Sequence, residues 1–152
     1  MTGLTVSGIL LAALWSFGAS ACCAFYLNTG KYDIIWGGLF GAAGWVIYTV
    51  VLSKTGSPAQ GYLAGAFAVA ACSEVIAVLI HNPATVFLLP GLLPLVPGGG
   101  IFYMMRSAVQ GNLAESLHQG YETLIAAGAI ALGIALASSG ARVYSLIRKH
   151  VK

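Results

Sequence analysis

Residues 83–106 read PATVFLLPGLLPLVPGGGIFYMMR, with four prolines and four glycines inside a run that is otherwise almost wholly apolar. A proline within a helix removes a backbone hydrogen bond and clashes with the turn before it. In hydrocarbon the freed carbonyl and amide groups find no water, at several kcal/mol each. Pro90-Gly91, Pro94 and Pro97-Gly98-Gly99-Gly100 therefore cannot face lipid as one regular helix. Such backbone is tolerated where protein encloses it or where it lines a wet cavity. There the positive end of a half-helix can hold an anionic group, free carbonyls can hold a cation, and glycine lets a ligand approach closely. The plainer alternative is a kinked structural helix or a tight re-entrant turn that binds nothing.

Glu74, within CSEVIAVLI, is the second residue with chemistry to offer. A charge in the middle of an apolar span costs about 2.5 to 3.5 kcal/mol on insertion scales, which makes an intramembrane carboxylate a functional candidate. It can take up a proton, hold a substrate ammonium group, or pair with a basic residue. Arg106 closes the broken run, either clamping a substrate carboxylate through two parallel hydrogen bonds or anchoring the segment at the headgroups. His81 caps a segment end or meets water. Glu115, His118 and Glu122 occupy a polar stretch, with His118 and Glu122 four residues apart; this reads as a solvated helical face rather than a metal site.

The elements that must position these residues follow from composition. Of 152 residues, 59% are hydrophobic and 7% charged, with a mean hydropathy of +0.88. A soluble domain carries about 25% charged residues, so the surface of this chain must face lipid. About twenty apolar residues cross a bilayer as a helix, and the expected spans are 4–27, 32–52, 60–80, the broken 84–105, and 123–141. Asp33 lies at the edge of the second. Polar turns at 28–31 and 53–58 separate the first three, and a polar stretch at 106–122 precedes the last. The fold class is all-α, a polytopic membrane bundle in a single transmembrane domain.

Small residues at helix-packing spacing (Gly37 and Gly41, Gly61 and Gly65, Ala129 and Gly133) should bring backbones together where lipid leaves little hydrophobic drive between helices. Cys22, Cys23 and Cys72 read as small buried apolar residues. The amino-terminal run lacks the basic start of a cleaved leader and is expected to stay as a span.

Four of the seven Lys and Arg residues fall at 142–152. A basic cluster beyond an apolar segment marks a cytoplasmic flank and can meet anionic lipid; it does not call for nucleic acid. With five crossings the amino terminus lies outside and Lys31 joins the basic residues inside. With a broken segment that dips in and returns there are four, and Lys54 moves inside instead. Five is the preferred count. No nucleotide loop, nucleophile triad or zinc spacing is present, so neither an enzyme nor a cofactor is expected.

The run HNPATVFLLPGLLPLVPGGGIFYMMRSAVQGN, with Pro94, Pro97, Gly98 and Tyr103 in a Pro-x-x-Pro-Gly pattern followed by tyrosine, resembles the bacterial threonine/serine exporter family. More narrowly, it resembles that family's smaller, purely transmembrane half. Asn82, between His81 and Pro83, departs from its histidine-proline turn. The resemblance implies export of small polar metabolites across the inner membrane: threonine- or serine-like amino acids, or succinate for some relatives. It also implies a partner, either a larger subunit with a cytoplasmic domain or a second copy. An odd number of spans per half sets two fused halves in opposite directions, as in many secondary transporters.

Together these readings predict a subunit of a gradient-coupled exporter with a cytoplasmic carboxyl terminus. Substrate would meet Pro94, Pro97, Gly98, Gly99, Gly100, Tyr103 and Arg106, with Glu74 as proton or ammonium site. The alternatives are an oligomeric channel, with the broken segment as a filter of carbonyls, and an assembly subunit that transports nothing.

Overall fold

The computed structural model describes the backbone of residues 6–150 and the side chains of residues 7–143. Six α-helices follow one another: α1 (Val6–Tyr26), α2 (Lys31–Thr55), α3 (Pro58–Ile80), α4 (Thr85–Leu92), α5 (Gly98–Val109) and α6 (Leu113–His150). A short 3-10 turn, Leu93–Leu95, joins α4 to α5. Helices α1, α2, α3 and α6 are each long and apolar enough to cross a membrane, and the bent α4–α5 pair passes the same test together.

The ends of these helices are written locally. Gly56 caps α2 with φ at +68°, a conformation that only glycine adopts without strain, and its N–H donates to the Leu52 carbonyl. Pro58 then opens α3 where a missing N–H costs nothing. His81 caps α3 in the left-handed region and is exposed. Asn82 reaches back from the same turn, its Nδ2 donating to Oδ2 of the buried Asp33 at 3.1 Å. That bond ties the end of α3 to the start of α2.

α2 is the axis of the bundle, and its glycines are the seats. A Cβ placed on Gly37 would lie 3.2 Å from Pro90 Cβ and 3.6 Å from Ala24 Cβ. One on Gly41 would press on Ser20 from one side and lie 3.4 Å from Pro94 Cγ on the other. One on Gly44 would meet Val69 and lie 3.4 Å from Leu95 Cδ1. The broken segment thus lays its prolines along a groove that glycine alone leaves open. Around it Phe40, Val69, Phe87, Leu92 and Leu95 form the core, with the Phe40 and Phe87 rings edge to face at 6.4 Å. Of the expected small-residue pairs, Gly37, Gly41, Gly61, Gly65 and Gly133 sit at such contacts and Ala129 is buried. Ser16, Ser20 and Ala24, four apart on α1, add a further small face that is buried.

The cysteines depart from expectation. Cys22 and Cys72 are exposed and Cys23 is half-buried, because the inner faces of α1 and α3 are taken by still smaller residues. The last span also begins earlier than its apolar run. α6 starts at Leu113, and the polar stretch is helical on both sides of a tight turn at 110–112, where Gly111 has φ at +79°. Asn112 Oδ1 accepts the Glu115 N–H, and Gln119 Nε2 donates to Glu115 Oε1 at 2.9 Å, so capping and pairs four apart hold these polar turns.

Direction decides how the elements enclose a site. The bend between α4 and α5 is 48°, so the chain changes course without turning back. α4 starts at the Asp33–Asn82 end and travels with α2, as the pairs Gly37–Pro90, Gly41–Pro94 and Gly44–Leu95 record. α6 then returns alongside α3 in the same direction. Gln119 and Ala126 lie near Pro58 and Tyr62 around one cavity, and further along both helices Gly133 lies against Leu63, Ala66 and Phe67. A re-entrant segment would set α3 and α6 antiparallel.

One buried group in this packing is unmet. Ser20 Oγ has no hydrogen-bond partner among the described residues and Ser20 is fully buried. Removing an unsatisfied hydroxyl removes its desolvation penalty. Ser20→Ala is expected to raise the melting temperature of the purified protein, by about 1 kcal/mol in stability. A clear fall would mean that the hydroxyl makes a bond in the assembled protein.

Candidate functional site

The break offers its backbone where α4, with Pro90 near its end, meets α5. Pro94 and Pro97 remove two N–H donors, and the chain compensates by tightening: Leu93 N–H donates to the Pro90 carbonyl and Val96 N–H to the Leu93 carbonyl, at 3.2 Å for the second. These shorter-range bonds satisfy carbonyls that a continuous helix would have left open. Beyond Pro97, Gly98 N–H donates to the Val96 carbonyl and Ile101 N–H to the Pro97 carbonyl. Gly99 and Gly100 come between, in the first turn of a twelve-residue helix whose amides have no partner one turn back.

Those two glycines line a cavity of about 550 Å³. Pro94, Val96 and Pro97 form its floor on the broken segment. Trp45 and Tyr48 of α2 and Tyr62 of α3 form an aromatic wall, with successive ring centroids 5.1 Å and 4.6 Å apart. Gln119, Glu122 and Thr123 of α6 close the third side. Thr123 Oγ1 donates to the Gln119 carbonyl at 2.7 Å and would touch any Cβ added at Gly100. Glu122 Oε1 lies 3.8 Å from His118 Nε2, both side chains largely exposed. The cavity therefore offers apolar and aromatic surface, a helix amino terminus and one carboxylate.

Of the residues singled out from sequence, Pro94, Pro97, Gly99 and Gly100 come together here. Gly98 lies beside the cavity without lining it, with open space around its Cβ position. Tyr103 and Arg106 are exposed further along α5 and do not line the cavity. Glu74 is half-buried and lies twelve residues beyond Tyr62 along α3, about 18 Å at helical rise. It belongs to the opposite half of the bundle. Among the described residues no cluster of His, Cys, Asp and Glu is arranged to hold a metal.

Trp45, Tyr48, Tyr62 and Thr123 are lining residues that sequence reading passed over, and Glu122 is one that it set aside. The aromatics looked like ordinary span residues. Glu122 looked like part of a solvated face, and only the return of α6 beside α3 brings it to the break.

No curated protein and no solved structure matches the chain. The family model described as Threonine/Serine exporter, ThrE, matches residues 12–139. That stretch holds every residue lining the cavity and the whole of the glycine groove beneath it. A multi-pass helical bundle, a span broken at the cavity, and a match over most of its length make this chain a member of the threonine/serine exporter family of membrane transporters.

Proposed function

We propose that the chain is the transmembrane half of a gradient-driven exporter for a small amino or carboxylic acid, acting with a second half in a bacterial inner membrane. The observation that carries this reading is the cavity at the break, where the amino end of α5 and the amides of Gly99 and Gly100 meet an aromatic wall and a carboxylate. A helix amino terminus favours an anionic group, and a dehydrated carboxylate is the anion that such metabolites share. Glu74, half-buried away from the cavity, suits the coupling role of a residue that takes up and releases a proton.

The parallel course of α3 and α6 supports five crossings. Lys31 and the basic residues at 142–152 then lie at one end, with Lys54 and Arg106 at the other. The richer end is the cytoplasmic one under the positive-inside rule. The cavity lies toward the opposite end, with Ser57, Pro58 and Gln119 in its lining, which favours an outward-facing conformation. Gly98 and Gly99 are exposed at the break, where hydrocarbon could not satisfy their backbone. A partner that covers them, either a larger subunit with a cytoplasmic domain or a second copy, is the arrangement this favours.

Efflux of preloaded labelled threonine, serine and succinate from cells lacking their own exporters tests the proposal. The chain would be expressed alone, with a larger partner-type subunit, and in that pair as Glu74→Gln, with a tag at each terminus. Efflux is expected from an assembled form and should fall about tenfold or more in Glu74→Gln at unchanged membrane abundance. From outside, an impermeant reagent should reach only the amino-terminal tag. An inserted pair that moves none of the three solutes overturns the proposal, and high conductance without a gradient would replace it with a channel.

A further inference from the structure

We propose that Glu122, together with the faces of Tyr48 and Tyr62, is the ammonium-binding element of this cavity and selects aminated substrates over dicarboxylates. The inference rests on the exporter reading above and narrows its substrate class. Three observations carry it.

Glu122 is the sole charged side chain lining the cavity among the described residues. His118, 3.8 Å away, stands outside the lining and, while neutral, leaves the carboxylate uncompensated. Tyr48 and Tyr62, with ring centroids 4.6 Å apart, line the same cavity, and aromatic rings attract a cation. Finally, Gly100 packs on Thr123, the residue after Glu122, so the amino end of α5 and the carboxylate stand on adjoining sides of one space.

A molecule with its carboxylate at the amino end of α5 therefore presents its other end toward Glu122. An ammonium group there is attracted. A second carboxylate is repelled, and once a substrate excludes water the repulsion grows as the local dielectric falls. The arrangement has a direction, positive helix end to negative side chain, that matches a zwitterion and opposes succinate.

Proteoliposomes containing the exporter in its active assembly would be compared for labelled threonine, succinate and 3-hydroxybutyrate, which is threonine with hydrogen in place of the ammonium group. The wild type should prefer threonine to 3-hydroxybutyrate. Glu122→Gln should cut that preference about tenfold through KM, leaving succinate transport unchanged or raised, and Glu122→Lys should turn the preference toward succinate. Glu115→Gln, about two turns further out and bonded to Gln119, should change none of these ratios. Glu122 is largely exposed, and protein incorporation quantified in each preparation separates loss of folding from loss of binding. Proportional loss of all three substrates in Glu122→Gln, or no change in the ratios, overturns the inference while the exporter reading stands. A wild type that moves none of them overturns both.

Discussion

Gly99→Ala is expected to leave the protein at least as stable as its parent and to lower threonine efflux about tenfold. The two halves of this result come from different facts about one position. A Cβ at Gly99 would meet no atom closer than Tyr103 Cε2 at 4.0 Å, and the residue does not have a positive φ. Alanine in the first turn of α5 therefore has room, and its better helix propensity adds up to about 1 kcal/mol. In the proposed site the same methyl group would stand between a substrate carboxylate and one of the two amides offered to it, and losing about 1.4 kcal/mol of binding is a factor of ten. Gly100→Ala is the contrasting case, because its Cβ would press on Thr123 Oγ1 and loosen α5 from α6 as well. Melting temperature and efflux, measured on both variants, separate the two roles. Parallel losses in Gly99→Ala would make that glycine a packing residue, and unchanged efflux would take it out of the substrate path.

Gly133→Ala is expected to destabilise the protein by about 1–3 kcal/mol, the usual cost of overpacking a close contact. The added Cβ would lie 2.7 Å from the Leu63 carbonyl oxygen and 3.0 Å from the Phe67 amide nitrogen. Both neighbours are backbone, so no side chain can turn aside and α6 itself must move away from α3. Gly128→Ala and Gly140→Ala, in the same helix with nothing within 4 Å, should be neutral or mildly stabilising. Thermal melting of the four proteins in one detergent checks this. Equal behaviour of Gly133→Ala and Gly128→Ala would mean that the α3–α6 seam is not as close as described.

These contrasts mark where sequence reading ends. The four unbroken apolar helices and the break between α4 and α5 were legible because a run of apolar residues and a proline each act locally. The start of α6 was not, because Glu115, His118, Gln119 and Glu122 look like a solvated link until Asn112 caps them and α5 folds back upon them. The glycines could be recognised as packing positions, but not matched. That Gly37, Gly41 and Gly44 receive Pro90, Pro94 and Leu95 depends on α4 running with α2, which neither segment records alone. Glu122 was weighed and set aside for the same reason. Its chemistry comes from the tyrosines of two other helices, and the nearest clue, Thr123 at the edge of the last apolar run, has meaning only once Gly100 is seen against it. Glu74 shows the reverse. Its cost in a span is plain from sequence, but its distance from the break is not.

The unequal anchoring of the broken segment has a mechanical consequence. α4 is seated in the groove of α2 through Pro90 and Pro94, whereas α5 packs chiefly on α6. Residues 96 and 97 therefore join an arm held on α2 to an arm held on α6. α5 is twelve residues long, about 18 Å at helical rise. A 10° change in the 48° bend would carry its far end about 3 Å while leaving the prolines in their seats. Leverage of that kind would turn a small torsional change at one peptide into a displacement of α5 and of the α6 residues packed on it, while the seats on α2 stay filled.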